Sequence, residues 1–471
     1  MRIQSRSDES ASVIPRRGPA TIDETPGDEH APALPQCRTT RPGLLARIAL
    51  PLTLTGLLAP ASAQSLESAD EGVAASNVVY VCSNDSTPGQ NGIFAFRRNP
   101  SDGGLTPLPG SPFLTGGTGD LNPNGALGPS DHDQEVVVSA DKRFLFTTNP
   151  GSNTIAVMRI RAEGSLRTVA GSPFKSGGIQ PISLGLAGDR LYVVNKNQDA
   201  NQVSSLELPN TTGFRVLPDG SLDPIPSSTV CLTAGSSPTQ ALISGDRAYL
   251  FGADLFSVQW DNGPGAPPFA SFLQSYRLDA TGRLEQRTPQ LAPVQGGPPL
   301  VLGLQIHPTE PILYAGLVAR NELAVYTIDT AGLLTFFTAV PNSGLALCWI
   351  LVDARGEHLY TTNTFDSTVS TYSLTDPYVP METQALILKE RGVMTSMLPN
   401  LYSSSPYQLA ISPDGAHVYI VSQRVTLDPL VTEGNFVHIL DVQPDGTLVE
   451  TLDPLPLPGP FQARPHGIVV L

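Results

Sequence analysis

The amino-acid sequence predicts an all-β protein: a seven-bladed β-propeller with four antiparallel strands per blade, closed into a ring by its C-terminal strand. Three observations predict it. The 471 residues include 43 glycines and 45 prolines but only 15% charged residues, against averages of roughly 12% Gly plus Pro and about 25% charged. Short strands between turns fit that composition, and long helices do not. An aromatic-centred apolar segment recurs seven times, around Tyr80, Phe146, Tyr192, Tyr249, Tyr314, Tyr360 and Tyr419. Those aromatics are spaced by a length that four short strands and their turns would fill, which is one propeller blade.

The third observation is local. Most of these segments follow another apolar run and a tight Asp/Gly turn, as at Gly188-Asp189-Arg190, Gly245-Asp246-Arg247 and Pro413-Asp414-Gly415. So short a polar connection between two apolar runs signals a β-hairpin. A third strand follows each aromatic one (Thr154–Ile160, Glu322–Ile328, Thr368–Leu374, Phe436–Val442), and a fourth follows a further turn such as Asp445-Gly446. The four strands of a blade are called A to D here, the aromatic one being B.

Taken in chain order, residues 1–46 form a polar N-terminal extension without apolar periodicity. Residues 47–63 carry the core and cleavage site of a signal peptide. Arg38, Arg41 and Arg47 precede the apolar run Ile48–Leu58, and Ala61-Ser62-Ala63 supplies the small residues a signal peptidase needs. The competing reading is a loose apolar linker. Cleavage would leave a mature chain starting at Gln64, exported to the periplasm or the exterior. Residues 64–76 read as a linker and 77–471 as the propeller. The Tyr80 strand lacks an A strand before it, but Pro465-His466-Gly467-Ile468-Val469-Val470-Leu471 resembles one. Closing the ring with it would remove the open sheet edges.

The balance of 28 basic and 43 acidic residues, net −15, argues against a nucleic-acid partner, because neutralising phosphates needs a basic surface. No later apolar run reaches membrane length, so the partner is expected to be a small-molecule ligand or another protein, and the chain a monomer. Four cysteines without a CxxC exclude a disulfide framework or Cys-zinc site; Cys82 and Cys348 read as buried small hydrophobes. P-loop, Gly-x-Ser-x-Gly and HExxH motifs are absent from the sequence.

The blade motifs Ser139–Asn149, Asp189–Asn195, Cys348-Trp349 with Tyr360–Asn363, and Ser412-Pro413-Asp414-Gly415 resemble those of the lactonase-type seven-bladed propellers related to 6-phosphogluconolactonase and to muconate-lactonising enzymes. The resemblance covers roughly residues 77–471. It implies hydrolysis of a lactone or related cyclic ester by a His at the start of one A strand, an Arg-His pair in a later one, and a Glu after a Tyr-x-x-Asn strand. The first position falls on Gln134, with His132 two residues earlier. The Arg position falls near Pro299 and Leu300, and the Glu position near Val318. In an extended strand His132 shares a face with Gln134.

Long insertions fall mainly at the B–C and D–A connections, with one apparent C–D exception around Asn210–Pro218. This places the working site at that end of the central channel. The candidate catalytic residues are His132 as general base, Asp131 and Asp133 beside it, and Arg320 to stabilise an oxyanion. Candidate substrate-binding residues are Gln134, Asn149, Asn195, Lys196, Asn363, Arg424, Arg464 and His466. For each the competing role is structural: a solvated loop histidine, a surface ion pair, a strand-end hydrogen bond. No cofactor is expected; a divalent cation would have only the Asp131-His132-Asp133 run for support. Two functions remain open, a lactone hydrolase and a non-catalytic propeller that binds a ligand or a protein through its loops.

Overall fold

The computed structural model describes residues 75–121, 131–199, 202–204, 206–255, 271–286, 290–291, 299–395, 400–426, 428 and 430–471. The polar extension, the apolar run 48–58 and the cleavage site all lie outside the described residues. Seven antiparallel sheets stand in a ring, each running A-B-C-D from the axis outward. No helix among the described residues is long and apolar enough to cross a membrane.

Blade 1 is closed as the sequence predicts. His466–Val470 pairs with Val78–Cys82, matching Tyr80 with Val469 and Val81 with Ile468. Gly92–Arg98 and Leu105–Pro107 follow outward. The remaining A and B strands are Val136–Val138 and Phe144–Asn149, Pro181–Ala187 and Arg190–Asn195, Leu242–Ile243 and Tyr249–Asp254, Val301–Ile306 and Ile312–Leu317, Leu347–Val352 and His358–Asn363, and Ser404–Ile411 and His417–Arg424. In five blades the D position is two short segments, both paired with C; blades 5 and 6 have one continuous D strand each.

One expected loop is a strand. Asn210–Val216 is the C strand of blade 3, paired with Arg190–Asn195 throughout, and the insertion lies before it, on the B–C side. Its polar start reads as a loop in sequence. It pairs because Thr212 donates to the Asn210 side chain at 3.0 Å and the Gly213 N–H to Ser228 at 3.0 Å, which satisfies those groups inside the sheet.

The recurring aromatic has a physical reason. Its ring packs in the seam between blades, and its hydroxyl donates to a carbonyl in the C–D turn of the next blade. Tyr80 reaches Gly164 at 2.7 Å, Tyr192 Gly282 at 3.1 Å, Tyr249 Thr330 at 2.9 Å and Tyr314 Pro377 at 2.8 Å. Tyr360 reaches Gly446 at 3.1 Å, and Tyr419 reaches Gly103 at 2.8 Å across the closing seam. Phe146 is the exception, having no hydroxyl. Each seam holds its own apolar cluster, such as Val79, Val81, Tyr419 and Val421 between blades 7 and 1. Burial of such side chains stabilises by about 1.5–3 kcal/mol apiece, so the ring is held mainly by contacts between blades.

Candidate functional site

The chain enters blade 2 by crossing the propeller axis. Residues 131–135 lie among the A strands of the other blades, and four of those blades hold them. The Nε1–H of Trp349 (blade 6) and the Nε2–H of Gln408 (blade 7) both donate to the His132 carbonyl, each at 2.8 Å. The Asp133 N–H donates to the Thr239 carbonyl next to blade 4 at 3.0 Å. Lys196, at the end of a blade 3 strand, places its Nζ 2.8 Å from Asp131 Oδ1. This segment closes over the axis like a plug.

Gln134 sets the direction of the side chains within the plug. Its φ of +66° is left-handed, a conformation that costs a non-glycine residue about 1 kcal/mol or more. The strand alternation that would pair His132 with Gln134 is therefore broken. His132 instead meets Glu135: its Nδ1 and Glu135 Oε1 form a close ion-pair contact. His466, at the start of the closing strand, brings Nδ1 to 3.5 Å from the same oxygen. The His132 and His466 rings meet edge to face, with centroids 4.8 Å apart. Gln408 donates to Glu135 Oε1 at 3.0 Å and accepts from the Gly467 N–H at 3.1 Å.

All three residues of this cluster are buried, His132 and Glu135 at 0% exposure. His132 is thus walled in, where a histidine at the channel mouth was expected. Burial pushes the Glu135 carboxyl well above the usual carboxylate range, and Asp133 adds to the shift. Burial lowers His466 to about 3. Both groups favour their uncharged forms, as desolvation dictates.

Beneath the plug, toward the A–B face, lies a cavity of about 280 Å³. Asp133, Gln134, Gln240, Gln305 and Gln408 give it polar walls, and Val136–Val138, Ile350, Leu351 and Ile468 apolar ones. Burial in this narrow space holds Asp133 up at about 7, against a hydrogen bond from the Gln134 N–H that lowers it. The Gln134 side-chain oxygen accepts from Gln240 at 2.9 Å.

The other expected site residues hold the scaffold. Asn149 Oδ1 accepts from Asn91 at 2.8 Å and Thr115 at 2.7 Å, tying blade 2 to blade 1. Asn195 donates to the Ser176 carbonyl and to Asn210, and Asn363 accepts from Asn342 at 2.8 Å. These strand-end asparagines knit one blade to the outer edge of the last. Arg320 pairs with Glu322 at 2.6 Å on its own turn. Arg424 and Arg464 lie against the Phe461 ring, at 4.8 and 5.0 Å. They donate mainly to backbone carbonyls, Arg424 to Thr432 at 2.9 Å and Arg464 to Ala463 at 2.9 Å. Burial, aided by Arg424, lowers Arg464 to about 10.

The structure therefore brings together His132, Asp133, Gln134 and His466 from the sequence expectation and separates Arg320, Asn149, Asn195 and Asn363 from them. Sequence reading missed Glu135, Gln240, Gln305 and Gln408. Gln134-Glu135 and Gln240 stand just before A-strand starts, a repeated position that could have marked them.

Comparison with known proteins agrees with this architecture. The family model described as lactonase, seven-bladed beta-propeller, matches residues 90–217. The structure of the periplasmic gluconolactonase of Pseudomonas aeruginosa superposes with a TM-score of 0.58 at 18% identity, covering 84% of this chain and 100% of that one. A candidate 6-phosphogluconolactonase of Bacteroides fragilis gives 0.57 at 15%, covering 83% and 97%. A Lactobacillus plantarum protein gives 0.57 at 14%, covering 83% and 98%. No curated protein matches the chain in sequence. The resemblance to the lactonase-type propellers holds in the family model and in the seven-bladed fold. At these identities the structural likeness is one of fold.

Proposed function

We propose that the chain is an exported hydrolase of a small lactone or related cyclic ester, acting in the axial cavity. One observation carries the reading: a carboxyl, Asp133, lines a cavity of about 280 Å³ whose other polar groups are glutamine amides. Neutral amides bind the hydroxyls and carbonyl of a polar uncharged ring without demanding an anion. The cavity volume lies just below the range usual for ligand pockets, roughly 300–1,000 Å³, and suits a small ring.

In the proposed reaction Asp133 takes a proton from water as the water oxygen bonds to the lactone carbonyl carbon. Negative charge then gathers on the carbonyl oxygen. The Gln134 amide, oriented through its oxygen by Gln240, would meet that charge with its N–H. Collapse breaks the ring C–O bond, and the departing ring oxygen takes the proton from Asp133, leaving a hydroxy acid. His132 and Glu135, closed off from the cavity, act by holding the plug in place.

Export rests on the basic flank, apolar run and small-x-small site of residues 38–63. The hydrolase reading is tested by following acid release from a panel of aliphatic and sugar γ- and δ-lactones. Enzyme-dependent release from at least one member supports it; no release above the spontaneous rate from any member would sink it.

A further inference from the structure

His132, Glu135 and His466 can each offer one ligand atom, and these atoms all lie within 4.8 Å of one another. We propose that this cluster is a binding site for a divalent transition-metal ion, zinc or one of its neighbours. The claim goes beyond the hydrolase reading and does not depend on it.

Two imidazoles and one carboxylate are the donor set of open, three-ligand metal sites, whose remaining positions go to water or substrate. Nitrogen donors select zinc, cobalt or iron over magnesium and calcium, which prefer all-oxygen shells. A coincidental surface cluster would be exposed and already satisfied. Here the residues are buried, and several of their polar atoms lack hydrogen-bond partners among the described residues: Glu135 Oε2 and both ring nitrogens of His466. Unsatisfied buried polar atoms normally cost about 1–3 kcal/mol each, and a bound cation would give a partner to the Glu135 carboxylate and to one His466 ring nitrogen.

The surroundings are also built as a metal site requires. Bound ligands are usually oriented by an outer layer of hydrogen bonds. Gln408 supplies one to Glu135, while Trp349 and Gln408 together pin the backbone that carries His132. Glu135 and His132 come from the entry to blade 2, and His466 from the closing strand. The site is therefore assembled only in the closed ring. Gln408, Gly467 and Asp133, which flank the cluster, belong to the walls of the adjoining cavity.

In a second grouping, Asp353, Glu357 and His358, the potential ligand atoms also lie within 4.8 Å of one another. Its Glu357 is exposed, whereas all three residues of the axial cluster are buried. It serves as the internal comparison.

The test uses the full chain, stripped with a chelator, reloaded with Co(II) or Zn(II) and desalted. Retention of about one metal ion per chain is expected, with visible Co(II) absorption of a mixed nitrogen–oxygen site and no displacement by excess Mg²⁺. Glu135→Gln, nearly isosteric, and His466→Ala should each abolish retention, while Asp353→Asn should not. Gln408→Leu should weaken binding by about 10- to 100-fold. Wild-type protein that retains no metal would overturn the proposal, whatever the variants do. So would retention lost in Asp353→Asn but kept in Glu135→Gln. Metal content is read without substrate, so a failed lactone screen leaves this result standing, and the reverse.

Discussion

His466 and Glu135, from opposite ends of the propeller sequence, meet 3.5 Å apart on its axis. The contact exists because the C-terminal strand closes blade 1 and sets His466 against the segment that plugs the channel. Closure of the ring and formation of the candidate site are thus one structural event.

Deleting residues 465–471 removes the inner strand of blade 1 and leaves the Val78–Cys82 strand with an open edge at the axis. Thermal unfolding of the truncated chain should begin far below that of the full chain. A truncated protein with an unchanged melting curve would contradict the closure.

Gly117 lies against the asparagine that knits blade 2 to blade 1. A Cβ built there would stand 2.3 Å from the Asn149 side chain, too close for either to remain in place. Gly117→Ala should destabilise by about 1–3 kcal/mol, the usual scale for overpacking. A urea midpoint equal to that of the parent would show that the asparagine yields freely.

Stability should fall as pH rises toward neutrality. Burial raises Asp120 and Asp254 from 3.8 to about 7. Between those values the folded chain binds protons that the unfolded chain has released. Their contribution is therefore fully present below about 4 and lost as pH climbs through 7. Between pH 5 and 8 the melting temperature should decline, and Asp254→Asn should flatten part of that slope. A slope that is the same in the variant would remove Asp254 from the account.

The blades were legible in the sequence because each repeats a physical requirement: a buried aromatic, a hairpin turn, a strand-end asparagine. Phe146 and Tyr419 match for that reason, and the closing strand is recognisable from its likeness to an A strand. The site was legible only in part. His132 and His466 stood out as histidines at A-strand starts, but Glu135 was hidden by the assumption of strand alternation, which the left-handed Gln134 breaks. The arginines looked like anion binders because sequence shows their charge and not the carbonyls and the Phe461 ring that engage them.

The proposed export makes its own prediction. Protein recovered from the native host should begin at or near Gln64, the first residue after Ala61-Ser62-Ala63. Peptides from residues 1–60 found on the functional protein by mass spectrometry would contradict it.

The central claim is that the axial cavity is where a lactone ring is opened, with Asp133 as the base. Its most direct measurement compares turnover of a responsive lactone by the parent chain and by Asp133→Asn, with matched circular dichroism and melting temperature. Loss of about 10²-fold or more in kcat is expected, the common scale for removing a general base. An Asp133→Asn protein that folds normally and turns the lactone over at the parent rate would contradict the claim.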